Sequence, residues 1–174
     1  MSTVVYKDGI IACDSQMTNG AEMQLGVHKI GRSAHFLFGF TGRMSVMYPL
    51  FDWLCDVEGN TFGQDIPDPT TFYRHANKLD TCGSDDGFAI IADREKRVYG
   101  VSTDGLVTPY PRGWEAIGSG GTYAVGALHM GADARRAVAV AKECDVSTGG
   151  YIHTLWFEEA QEFPDIVRPY AEKP

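Results

Sequence analysis

The sequence predicts an α+β protein built from stacked layers, and three observations carry that expectation. Short β-branched or apolar runs fill residues 3–40, three more follow between 88 and 110, and two segments with helical spacing stand side by side over 123–142. Strands and helices segregated in this way indicate layers of sheet and helix, not an alternating parallel sheet. Across 174 residues, 44% of them hydrophobic, no shift in composition marks a second domain, so one domain spanning 1–174 is expected, with 158–174 as a C-terminal tail.

Thr3 to Tyr6 and Ile10 to Asp14 flank Lys7-Asp8-Gly9, a turn chemistry that predicts an antiparallel hairpin. Thr18-Asn19-Gly20 reads as a polar loop. Val27 to Ile30 and Ala34 to Phe40 read as two further strands, the second apolar on both faces and therefore expected between layers. Ser45 is placed to cap a helix carrying Val46, Met47, Leu50, Phe51 and Leu54 on one broad face, ending near Glu58-Gly59-Asn60. Residues 59–86 are rich in Gly, Pro and Asp and read as a loop-rich insert with two helical turns over Thr70 to Lys78. Phe88 to Ala92, Val98 to Val101 and Leu106 to Tyr110 form a meander. Trp114 to Ile117 leads into Gly118-Ser119-Gly120-Gly121 and a helix over Tyr123 to Met130. Asp133 is placed to cap a second helix with Ala134, Ala137, Val138 and Ala141 on one side, and Tyr151 to Phe157 closes the pattern as a strand.

Composition excludes several roles. A net charge of −8, with no basic run, disfavours a nucleic-acid partner or an anionic membrane surface. No apolar run approaches the roughly 20 residues that span a bilayer, and the first residues lack a signal-peptide pattern, so the expected location is the cytoplasm. Cys13, Cys55, Cys82 and Cys144 form no CxxC pair and read as reduced, partly buried thiols. The five histidines have no ligand spacing and read as structural or surface groups.

Chemistry enters at Ser2. A serine in second position is small enough that the initiator methionine is commonly removed, which would place a hydroxyl and a free α-amine on one residue. With an unperturbed pKa of about 7.7–8.0, that amine is a competent general base near neutral pH. Ser2 alone is an ordinary chain start, and Asp14 alone is as readily a hairpin-end carboxylate. Gly118-Ser119-Gly120-Gly121 also admits reading as a phosphate cradle, but neither a following Lys-Ser/Thr nor a full GxGxxG supports a nucleotide site.

A wider pattern gives these residues context. Ser2-Thr3-Val4-Val5, Gly9, Asp14-Ser15-Gln16, Thr18, Val27-His28-Lys29-Ile30, Gly39-Phe40-Thr41-Gly42, Ile117 to Gly121 with Tyr123-Ala124, and Asp145 to Gly150 follow the order and approximate spacing of proteasome β-type subunits. The chain resembles the short bacterial HslV-type peptidase, and is similar to proteasome-like proteins of phages. The resemblance implies a four-layer αββα N-terminal-nucleophile (Ntn) hydrolase sandwich, two antiparallel sheets between helices. Residue by residue it implies Ser2 as nucleophile, Asp14 as its acidic partner and Lys29 as the lysine that lowers the pKa of hydroxyl and amine. It implies Ser119 beside the terminal amine with Asp145 and Thr148 in support. It implies Gly42 as the oxyanion N–H, and Thr18 as a backbone contact for an extended polypeptide substrate. Carbonyls of Lys142, Asp145 and Thr148 would hold a monovalent or divalent cation, and no other cofactor is required. The implied partners are further copies in a ring and an ATP-dependent unfoldase.

Several features depart from that pattern. Serine stands where the family has threonine, the hairpin from Gly9 to Asp14 is short, loop replaces much of a long helix over 59–86, and the tail from Glu158 adds a segment. If Met1 stays, the nitrogen of Ser2 is an amide and no terminal base exists. A noncatalytic structural or virion-associated assembly protein, and an Ntn amidase for a small amide, therefore stand as alternatives.

Overall fold

The computed structural model describes residues 2–19, 22–33, 35–42, 87–102 and 106–157. The helices expected over Ser45–Glu58 and Thr70–Lys78, and the tail 158–174, lie outside them.

Two antiparallel sheets dominate the described chain. The first joins β1 (Thr3–Lys7), β2 (Ile10–Asp14), β10 (Trp114–Gly118) and β11 (Ile152–Trp156) in the order β10-β1-β2-β11. The second runs in sequence order through β5 (Ile30–Arg32), β6 (Phe36–Gly42), β7 (Gly87–Asp93), β8 (Val98–Ser102) and β9 (Val107–Pro109). A small third pair joins β3 (Met17–Asn19) to β4 (Glu22–Gln24). The opening hairpin turns at Asp8 and Gly9, both at positive φ, which the Asp-Gly pair tolerates.

Alternation along β1 assigns each face. Val4 and Tyr6, with Ile11 and Cys13 of β2, point into the space between the sheets and meet Ile30, Leu37, Ile90, Ala92 and Val98. Val5 and Ala12 point the other way, onto helices α1 (Gly121–His129) and α2 (Ala134–Cys144), through Ala124, Leu128, Ala134, Ala137, Val138 and Ala141. Small residues on α2 let it lie close to the sheet. Gly39 does the same between the sheets, since a Cβ there would stand 2.5 Å from Val4 Cγ1. Every residue from Phe36 to Thr41 is buried, as its two-faced apolar pattern requires. Asp133 caps α2, its carboxylate accepting from the Arg136 N–H at 2.7 Å.

Three sequence expectations are corrected. Thr18 and Asn19, read as part of a polar loop, lie in β3 of the short β3–β4 ladder, whose exposed β4 residues concealed it. Val27 to Lys29 is not strand. The ladder begins at Ile30, opposite Gly39, because the preceding residues turn toward β2, where Val27 N–H donates to the Ser15 carbonyl. Trp114 to Gly118, read only as a lead-in, is a full strand paired with β1 from Thr3↔Gly118 to Lys7↔Trp114.

Candidate active site

Sheet pairing puts Ser2 at the mouth of β1 with Asp14 at the end of β2 on one side and Gly118-Ser119 at the end of β10 on the other. Asp14 is wholly buried and accepts four hydrogen bonds. Its Oδ1 takes the Thr3 N–H at 2.8 Å and Lys29 Nζ at 2.7 Å, and its Oδ2 takes the Gln16 N–H at 3.1 Å and the Gly149 N–H at 3.0 Å. A carboxylate removed from water needs this density of donors. Lys29, only 4% exposed, also donates to the Gln16 carbonyl at 2.5 Å. Burial lowers its pKa, and the facing Asp14 carboxylate opposes that shift.

On the other side, Asp145 is partly exposed and bonded chiefly to hydroxyls. Ser119 Oγ donates to its Oδ2 at 2.7 Å, Thr148 Oγ1 donates to the same oxygen at 2.6 Å, and the Ser147 N–H reaches Oδ1 at 3.2 Å. Burial pushes this carboxyl up, but the Thr148 and Ser119 hydroxyls with the Ser147 N–H outweigh it and leave the pKa below the usual carboxylate value. Thr3 joins the two clusters. Its amide serves Asp14 while its Oγ1 lies 2.7 Å from Thr148 Oγ1, and the hydroxyl is fully buried.

Ser2 itself is buried, and its carbonyl is clamped by Gly118. A Cβ on Gly118 would sit 1.8 Å from the Ser2 oxygen and 3.0 Å from Thr41 Cγ2, and its φ of +94° already requires glycine. Thr41 thus brings the end of β6 to Ser2, with Gly42 next in the chain, exposed at φ 121° and paired with Gly87. Thr18 lies apart from the ion pair, in β3 opposite Met23, its buried hydroxyl without a hydrogen-bond partner among the described residues. The neighbouring Cys13 is no rival nucleophile, since burial pushes its thiol up to about 12. Cys13 and Cys144 are both free thiols.

Sequence reasoning singled out both carboxylates, Lys29, Ser119 and Thr148, and the fold brings them around the start of β1. It gave no role to Thr3, to the Gln16 carbonyl, or to Gly149, whose carbonyl accepts the N–H groups of Ser15 and Gln16, both at 3.1 Å. The hydroxyl of Thr3, directly after Ser2, was the available signal.

The same junction was expected to hold a cation on the carbonyls of Lys142, Asp145 and Thr148. There the Asp145 carbonyl accepts the Thr148 N–H at 3.0 Å, and the ammonium of Lys142 donates to the Gly150 carbonyl at 2.5 Å. A junction that already carries a fixed positive charge is a poor fit for a second cation. Among the described residues, no three His, Cys, Asp or Glu side chains gather to hold a metal.

The geometry has counterparts among solved structures. Eukaryotic HslV from Trypanosoma brucei superposes with a TM-score of 0.69 at 23% identity, over 88% of this chain and 97% of that one. BPH from Thiobacillus denitrificans, in complex with epoxomicin, gives 0.69 at 21% identity, over 92% and 99%, and BPH alone gives 0.67 at 22% identity over the same shares. The chain has their fold. It is the αββα sandwich expected from the sequence, of which the described residues contain both sheets and one helical layer. No protein-family model and no curated protein matches the chain. Among the described residues no helix is long and apolar enough to cross a membrane.

Proposed function

We propose that the chain is an N-terminal-nucleophile peptidase that hydrolyses peptide bonds in extended polypeptides, with Ser2 as nucleophile once Met1 has been removed. The observation that carries the proposal is the buried Asp14–Lys29 pair, locked by the Thr3 amide to the residue that follows Ser2. A buried ion pair is weak evidence for stability, because desolvation offsets most of the attraction, and its placement beside a chain start makes sense as chemistry.

In this reading Ser2 Oγ attacks the scissile carbonyl and its own α-amine takes the proton, becoming the donor to the leaving amine. Lys29 supplies positive potential that lowers the pKa of both groups, while Asp14 fixes its position. The Gly42 N–H stabilises the developing oxyanion, and Ser119, Asp145 and Thr148 hold the terminal amine. Water, activated by the same amine, releases the acyl-enzyme. The substrate strand lies along the backbone at Thr18, adding to the β3 edge. The likeness in fold to HslV supports self-association, and the reading extends to a homo-oligomeric ring in the cytoplasm served by an ATP-dependent unfoldase.

Turnover of fluorogenic peptides tests this reading. Ser2→Ala keeps the backbone and removes the nucleophile, so hydrolysis falls to background. Undiminished turnover would refute the assignment. A wild type that is itself inactive and retains Met1 would favour a noncatalytic ring or assembly protein.

A further inference from the structure

We infer that Lys142, whose ammonium holds the Gly149-Gly150 turn, supplies positive charge to the α2–β11 junction in place of a bound metal ion, and that it positions Asp14 through that turn. Lys142 lies in the last turn of α2, at the negative end of the helix dipole, where a cation is favoured. It is partly buried, and its Nζ donates to the Gly150 carbonyl at 2.5 Å across eight residues of chain.

The turn it holds is packed without slack. Gly150 adopts φ +73°, and a Cβ on it would meet Ser15 Oγ at 2.3 Å. A Cβ on Gly149 would meet Gln16 Oε1 at 2.1 Å. Gly149 then reaches the ion pair directly, because its N–H donates to Asp14 Oδ2 at 3.0 Å and its carbonyl accepts the N–H groups of Ser15 and Gln16. The Gln16 carbonyl, in turn, accepts Lys29 Nζ. Lys142 is therefore one peptide unit from a direct ligand of Asp14. On the opposite face of the junction Gln16 Nε2 donates to the Val146 carbonyl at 3.1 Å, so the turn is held at both ends. A lysine tethered to the helix needs no ion from solution, and its charge repels one.

The catalytic meaning of positioning Asp14 rests on the peptidase reading, but the role of Lys142 at the junction is tested without activity. Thermal midpoints of wild type, Lys142→Met and Lys142→Arg are compared in sodium, potassium, magnesium and choline chloride at matched ionic strength. Wild type gives one midpoint in all four salts. Lys142→Met loses about 2–4 °C, the shift expected for about 1 kcal/mol in a chain of this size, and regains part of it in a metal salt over choline. Lys142→Arg keeps most of the wild-type midpoint. A wild type stabilised by a metal salt over choline, or a Lys142→Met variant with an unchanged midpoint, would overturn the inference.

Discussion

Asp14 and Asp145 flank the start of β1 and are built in opposite ways. Asp14 has no exposure, faces an ammonium, and accepts three backbone N–H groups as well as that lysine. Asp145 stands at the surface end of α2 and accepts two hydroxyls and one N–H. The first arrangement is intolerant, because three of its four donors are buried with it to meet one charge. The second is adaptable, because hydroxyls rotate and water can replace them. A nucleophile at a chain end needs both: a fixed positive potential beside its oxygen, and a polar side that accommodates an amine changing protonation state during turnover.

The largest expected effect comes from breaking the intolerant side. Asp14→Ala leaves Lys29 buried without its counter-charge and strips three N–H groups of their acceptor, so urea unfolding should show a loss of about 3–5 kcal/mol. A loss similar to that of Asp145→Ala, which leaves only hydroxyls and one N–H near water, would erase the contrast.

Gly118→Ala addresses the strand between the two sides. Its Cβ collides with the Ser2 carbonyl and its φ is unsuited to alanine, so stability should fall by about 2 kcal/mol. Under the proposed peptidase function, displacing Ser2 should also lower kcat by about 100-fold with a smaller change in KM. A raised KM with kcat unchanged would show that Gly118 acts on binding and not on the position of Ser2.

The smallest effect concerns the adaptable side. The folded-state pKa of Asp145 lies below its ordinary value of 3.8, so its stabilisation is complete above that value and is lost as pH falls through the folded pKa. Lys29 shifts in the same direction, but for a base the lowered value means that its charged form is disfavoured in the folded chain. With its folded pKa lowered, the unfolded chain binds the proton more readily, and stability rises with pH between the folded value and 10.5. Asp145→Asn should therefore flatten the acid limb of a stability–pH profile below 3.8 and leave the alkaline limb unchanged.

The contrast also separates what was legible in the sequence from what was not. The hairpin, the meander and both described helices follow from period-2 and period-3.6 patterns together with turn and cap residues, and the structure repeats them within a few residues. β10 escaped notice because three of its five residues are neither buried nor β-branched, and only pairing with β1 makes it strand. Lys29 falls just before a strand that begins at Ile30, and its bond to Asp14 is a long-range contact that no local pattern encodes. Side chains with chemical identity were found by type and order. The backbone donors and acceptors of Thr3, Gln16 and Gly149 were not, because an N–H or carbonyl leaves no mark in a one-letter sequence.

Ser2 is proposed as a free N-terminal nucleophile, and intact-mass spectrometry before and after exposure to epoxomicin tests that role. An epoxyketone presents two electrophilic centres, which a hydroxyl and an α-amine on one residue are placed to engage together. The account predicts a mature chain lacking Met1, a mass gain of one inhibitor located at Ser2, and no gain in Ser2→Ala. A chain that retains Met1 and gains no mass would contradict it.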